Sequence, residues 1–166
     1  MKNKTKGQVY AEAFESIRNI TKLYLSNVED NFLRTRYEIN GAKLNSAYWI
    51  NAHLVWAEHY LIVRAVGNKN MDIPWLEQFG VGTIADKATQ ELDINMIRKK
   101  MDEVHIEAMN ILKSLPDEEL GKPNHINASF DNEKTKDAVI KHCIRHEPMH
   151  AGHISWILKI SGVKMV

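Results

Sequence analysis

The sequence predicts an all-α fold, a four-helix bundle with a long crossover after helix 2. Three observations carry that reading. Four segments place apolar residues at helical spacing. No convincing pair of strands and no internal repeat stands out beside them. The connections, about 17, 25 and 19 residues long, exceed the roughly 2–8 residues of a tight bundle loop.

The first helix is expected from about Gln8 to Val28, with a stripe of Tyr10, Phe14, Ile17, Ile20, Tyr24 and Val28. Asn45 or Ser46 suits the cap of the second, because a short polar side chain can accept from a first-turn amide. That helix shows Trp49, Ile50, His53, Trp56, Ala57, Tyr60 and Leu61 on one broad face and ends near Gly67. The connection from Asn68 through Leu92 contains Pro74-Trp75 and Phe79-Gly80-Val81-Gly82. It is long enough to cross the bundle and let helices 2 and 3 run parallel, with its aromatic residues over a bundle end. The alternative is a polar loop with little packing.

The third helix runs from about Asp93 to Leu115 on a stripe of Ile97, Met101, Val104, Ala108, Ile111 and Leu115, and Pro116 stops it. Thr135 caps the fourth, with Asp137 in the first turn, where a negative charge meets the positive helix end. It ends near Ser161-Gly162.

Composition bounds the rest. The chain has 166 residues, 44% hydrophobic and 26% charged, and reads as one domain spanning 1–166. Its net charge is +1, from 22 basic and 21 acidic residues, which gives no basic surplus to hold nucleic acid. No run of 18 apolar residues predicts a membrane span, and the basic start is followed by Gly7-Gln8-Val9-Tyr10 rather than a signal core. Cys143 is the only cysteine, so no intrachain disulfide can form. A cytoplasmic location is expected.

Three histidines hold the chemical information. His146 and His150 lie four apart, on one helical face and about 6 Å from each other. Val139, Cys143, Ile154 and Ile157 mark the apolar side of that helix, with His150 near its middle and His146 near its edge. Pro148 between them removes a backbone donor, so a kink is expected. His53 lies among Trp49, Ile50, Trp56 and Ala57 on the second helix. Buried imidazoles need hydrogen-bond partners or a cation. The residues alone leave both open: a metal site, or structural core histidines.

His146-Glu147-Pro148-Met149-His150 also fits H-E-x-x-H, which would make Glu147 a general base. That zinc-protease reading is the weaker one. No acidic residue follows Glu147, the extended three-histidine form fails, and a proline sits inside the motif. Otherwise Glu147 is an exposed helix residue.

Two stretches resemble the DinB/YfiT-like superfamily of metal-binding four-helix bundles. One is Asn45-Ser46-Ala47-Tyr48-Trp49-Ile50-Asn51-Ala52-His53-Leu54; the other is His146-Glu147-Pro148-Met149-His150-Ala151-Gly152-His153-Ile154. Phe79-Gly80 and Ser161-Gly162 add weaker likeness, and the resemblance runs from about Tyr10 to Gly162. It implies His53, His146 and His150 as ligands of one divalent metal ion, and a homodimer. His153 stands where such proteins often have glutamine, as a further donor or weak ligand. Some relatives are metal-dependent transferases using a low-molecular-weight thiol; for many no reaction is assigned.

Three functions are therefore weighed: a metal-dependent S-transferase acting on a small-molecule substrate, a metal-binding bundle without turnover, and an interaction module with structural histidines. Metal-dependent hydrolysis is a lesser variant of the first. Imidazole ligands suit zinc, nickel or iron alike. Arg64 is weighed as a substrate-anion contact against a solvated arginine, and Cys143 as a small buried hydrophobe.

Overall fold

A computed structural model describes residues 3–83 and 92–163. Helix α1, Lys6–Ser26, opens on a capping box in which Thr5 Oγ1 accepts from the Gln8 amide and Gln8 Oε1 accepts from the Thr5 amide. A one-turn helix α2, Asp30–Leu33, leads to a two-stranded antiparallel hairpin, β1 Glu38–Ile39 and β2 Ala42–Lys43. That hairpin was not expected. Its signal was Asn40-Gly41, whose φ angles of 52° and 80° are the positive pair that a two-residue hairpin loop needs.

Helix α3, Ala47–Glu58, is capped by Ser46, which accepts from the Trp49 amide. It widens into a π-helical turn, His59–Arg64, with bonds such as Ala65 N–H to Tyr60 O at 3.1 Å. A single 3₁₀ turn, Leu76–Phe79, follows. Helix α4, Ile94–Ser114, is capped by Asp93 and stops before Pro116; α5 is the short Asp117–Leu120. Helix α6, Lys136–Ile160, is capped by Thr135, carries Asp137 in its first turn and runs on through Pro148.

Cross-helix contacts fix the directions of the four long helices. The Leu92 amide donates to Tyr48 Oη, Glu58 meets His105, and a Cβ on Gly67 would stand 2.5 Å from Ile111 Cδ1. Both chain numbers rise together, so α3 and α4 are parallel, as the crossover requires. Tyr10 to Asp137 and Arg18 to Glu147 make α1 and α6 parallel. Lys22 to Asp102 sets α1 against α4, with Gly7 beside the far end of α4. A Cβ on Gly7 would lie 2.3 Å from Leu112 O, so only glycine permits that approach.

The stripes of α4 and α6 are buried as their periodicity predicts: Ile97, Met101, Val104, Ala108, Ile111 and Leu115, and Val139, Cys143, Ile154 and Ile157. Every residue of α3 is buried, so it is the central helix rather than a two-faced one. Helix α1 differs from expectation. Its inner face is Gly7, Ala11, Phe14, Arg18, Thr21 and Leu25, while Ile20 is 49% exposed and Tyr10, Ile17 and Tyr24 are half-buried. The helix is rotated because an arginine, not an aliphatic residue, holds the central inward position.

The described part of the crossover is packed. Trp75, Leu76 and Phe79 are buried, and the Phe79 ring stands edge-on to Tyr48 and to Trp75. They lie along α3 rather than over a bundle end. Residues 84–91 of this connection lie outside the described residues. Among the described residues no helix is long and apolar enough to cross a membrane.

Candidate metal centre

His53 projects from the middle of α3, and His146 and His150 project one turn apart from the facing side of α6. His53 and His150 are buried and His146 is half-buried. The Nε2 atoms of His53 and His146 are 3.4 Å apart, and those of His146 and His150 are 3.2 Å apart. One ligand atom from each ring lies within 4.8 Å of the others, a group able to hold a metal ion. Nitrogens about 2.0–2.1 Å from a tetrahedral ion are about 3.3–3.4 Å from each other, so these spacings fit shared ligation.

The surroundings favour the neutral, ligating form. The Phe79 carbonyl lies 2.6 Å from His53 Nδ1, where only an N–H can satisfy it. That bond fixes the tautomer and leaves the Nε2 lone pair turned to the other two rings. Trp49 and Trp56 stack on the two sides of His53, with centroids at 4.7 and 5.6 Å, and hold its plane. Burial lowers the His53 pKa. Burial first, then the neighbouring imidazoles, push His146 down to about 4 and His150 down to about 3. At neutral pH all three rings are therefore uncharged, and the Nε2 lone pair of His53 faces the other two.

A model of the DinB superfamily matches residues 13–154, well over half of the sequence. The chain belongs to the DinB superfamily. No curated protein matches it significantly. Membership agrees with the all-α bundle and with a metal site built from the paired stretches on α3 and α6 of this DinB protein.

The remaining residues singled out from the sequence are distributed differently. His153 is exposed, its ring edge-on to His150 at 5.3 Å, and it lies outside the three-histidine group. Another histidine of α6, His142, stacks on Phe130 at 3.9 Å and is not part of that group either. Arg64 pairs with Glu77 at 3.4 Å, a partly exposed bridge beside Trp56, so its guanidinium is engaged away from the histidines. Cys143 is buried, and burial, with Glu58 and Glu147 nearby, pushes its thiol pKa well up, so it stays an inert packed group.

Glu147 corrects both of its readings. It is neither exposed nor poised as a base: it is 2% exposed, and its two carboxylate oxygens accept from Arg18 Nε at 2.7 Å and Nη2 at 2.8 Å. One residue along α6 from His146 is about 100° around the axis, which turns Glu147 away from the histidines and into the bundle.

That fork belongs to a buried polar network in the DinB protein that the sequence did not disclose. Arg18 also bridges Glu58 at 2.8 Å, and Glu58 Oε1 accepts from His105 Nδ1 at 2.7 Å. His105 Nε2 reaches the partly exposed Glu15 at 3.3 Å. All four long helices are tied at one level. Burial opposes the charge on Arg18, but Glu58 and Glu147 outweigh it and hold its pKa above the ordinary value. The available signal was the spacing Ala11, Phe14, Arg18, Thr21, Leu25, a helical stripe with an arginine at its centre.

A cleft of about 480 Å³ reaches the three-histidine group of this DinB fold at His150, from the hairpin side. His150 and His153 stand on it, with Ile50, Leu44 and Trp156 as apolar wall. The size suits a small molecule.

Proposed function

We propose that the protein binds one divalent metal ion through His53, His146 and His150 and uses it as an S-transferase for a low-molecular-weight thiol. The carrying observation is the convergence of three Nε2 atoms, one of them fixed as an acceptor by the Phe79 carbonyl. Zinc, nickel and iron all accept imidazole ligands of this kind. Three protein ligands leave a coordination position open, the arrangement of catalytic rather than structural sites.

A bound divalent ion would supply Lewis acidity, which lowers the pKa of a coordinated thiol into the physiological range. The chain supplies the rest. Trp49 and Trp56 wall His53 against water and hold its ring. The buried fork of Arg18 and Glu147 anchors α6 beside His146. The cleft brings a small electrophile to the His150 side. The group of three ligands includes no carboxylate, so the protein would contribute no negative charge to a bound ion.

The test is conjugation of a test electrophile, 1-chloro-2,4-dinitrobenzene, by a panel of physiological thiols. Metal-loaded protein should accelerate the reaction with at least one thiol, and His146→Ala should not. A fully loaded protein that accelerates none of them would contradict transfer and leave metal binding without turnover.

A further inference from the structure

The cleft beside His150 has a chemical polarity of its own. Its apolar surface is unusually open: Trp156 is 61% exposed, Ile39 51% and Ile160 44%. A flat apolar group laid on Trp156 and Ile160 would take that surface out of water, worth roughly 25 cal/mol per Å² covered. Arg36 is engaged beside the cleft, its Nε donating to the Leu44 carbonyl at 2.9 Å, and two lysines stand closer to the open face. Lys43, on β2, lines the wall opposite α6. Lys159 Nζ stands 5.4 Å from the Trp156 ring. Among the described residues no carboxylate lines the cleft. Glu38 faces Lys43 in the hairpin register.

We propose that the cleft selects small molecules with an aromatic or otherwise flat apolar body and an anionic end. The body lies on Trp156 and Ile160, the anion meets Lys43, and the opposite end faces His150. Lys43 is thus a specificity-determining residue. Only the last placement, of a reactive end at the metal, rests on the transferase reading above.

Two fluorescent probes of matched shape separate the contributions. 1-Anilinonaphthalene-8-sulfonate carries the anion, and N-phenyl-1-naphthylamine has the same body without it. Titrated into the zinc-loaded full chain, the sulfonate should bind about fivefold more tightly, the effect of one exposed ion pair. Lys43→Gln should erase that preference and leave the neutral probe unchanged. Lys43→Arg should keep it, and Glu38→Gln should enlarge it. Trp156→Ala should weaken both probes, with its melting temperature and far-ultraviolet circular dichroism showing an intact bundle.

A sulfonate preference that survives Lys43→Gln would overturn the proposal, as would unchanged binding in Trp156→Ala. A preference lost on chelation but not on Lys43→Gln would assign the anion to the metal and also overturn it. Probe binding that falls as protein concentration rises would mark the cleft as an interface between two copies, again against it. Conversely, an intact Lys43-dependent preference in protein that takes up no metal would support the cleft and sink the metal reading alone.

Discussion

The bundle encloses two polar clusters that share helices α3 and α6, and they are built in opposite ways. In the first, Glu58 and Glu147 close on Arg18, and His105 closes on Glu58. Each carboxylate faces the Arg18 cation, with Glu58 Oε2 held by charge alone at 2.8 Å. In the second, the Nε2 atoms of three uncharged rings, His53, His146 and His150, converge on one another, and His150 Nδ1 has no hydrogen-bond partner. Glu147 adjoins His146 in sequence, so a step of one residue along α6 separates the ion-paired network from a group of three rings that could hold a metal ion. Burial alone does not mark a functional cluster. What differs is whether each group meets an opposite charge inside the protein.

The single substitution with the largest expected effect breaks the closed cluster. Arg18→Met leaves two buried carboxylates without their cation and should cost about 3–5 kcal/mol of unfolding free energy in denaturant titration. Adding Glu147→Leu should recover part of that loss, since an apolar pair of similar volume removes the stranded charge. An Arg18→Met protein as stable as wild type would mean the network contributes nothing net to the fold.

A smaller effect is expected from metal removal at the open cluster. Metal held by the native state alone adds about 2.7 kcal/mol at a hundredfold excess over the dissociation constant, so chelation should lower the melting temperature without unfolding the bundle. The stripped protein should also depend on pH in a definite sense. Unfolded histidines protonate near 6.5, while folded His146 does so at about 4 and His150 at about 3. Between those values the unfolded chain binds more protons, so stability rises with pH. The metal-free protein should be at full strength above about pH 6.5 and lose about 3 kcal/mol for each of the two rings on the way down to about pH 4. Melting curves across that window check it, and a flat profile would show that the rings are not buried in the neutral form.

The same contrast explains what could be read from the sequence. His146 and His150 were legible because one helix sets their spacing, and His53 because its apolar neighbours and the likeness of its stretch to DinB proteins agreed. The stripes of α4 and α6 were legible for the same local reason. Arg18 was not, because a charged residue is ordinarily assigned to solvent and its partners lie 40 and 129 positions away in Glu58 and Glu147. Misplacing Arg18 rotated the whole of α1 in the expectation. Glu147 was misread through the same blindness to a distant partner. The Phe79 carbonyl, which sets the His53 tautomer, is a backbone group at the end of a 3₁₀ turn and leaves no side-chain signature. The hairpin was short enough to hide, although Asn40-Gly41 announced its turn.

The central claim is that three converging imidazoles hold a metal ion. Its most direct test is elemental analysis of protein purified without a metal-affinity column, with His150→Ala prepared in parallel. One equivalent of a single divalent metal is expected in the wild type and close to none in the variant. A metal-free wild type that takes up no zinc, nickel or iron on incubation, or a variant that keeps its full equivalent, would contradict it.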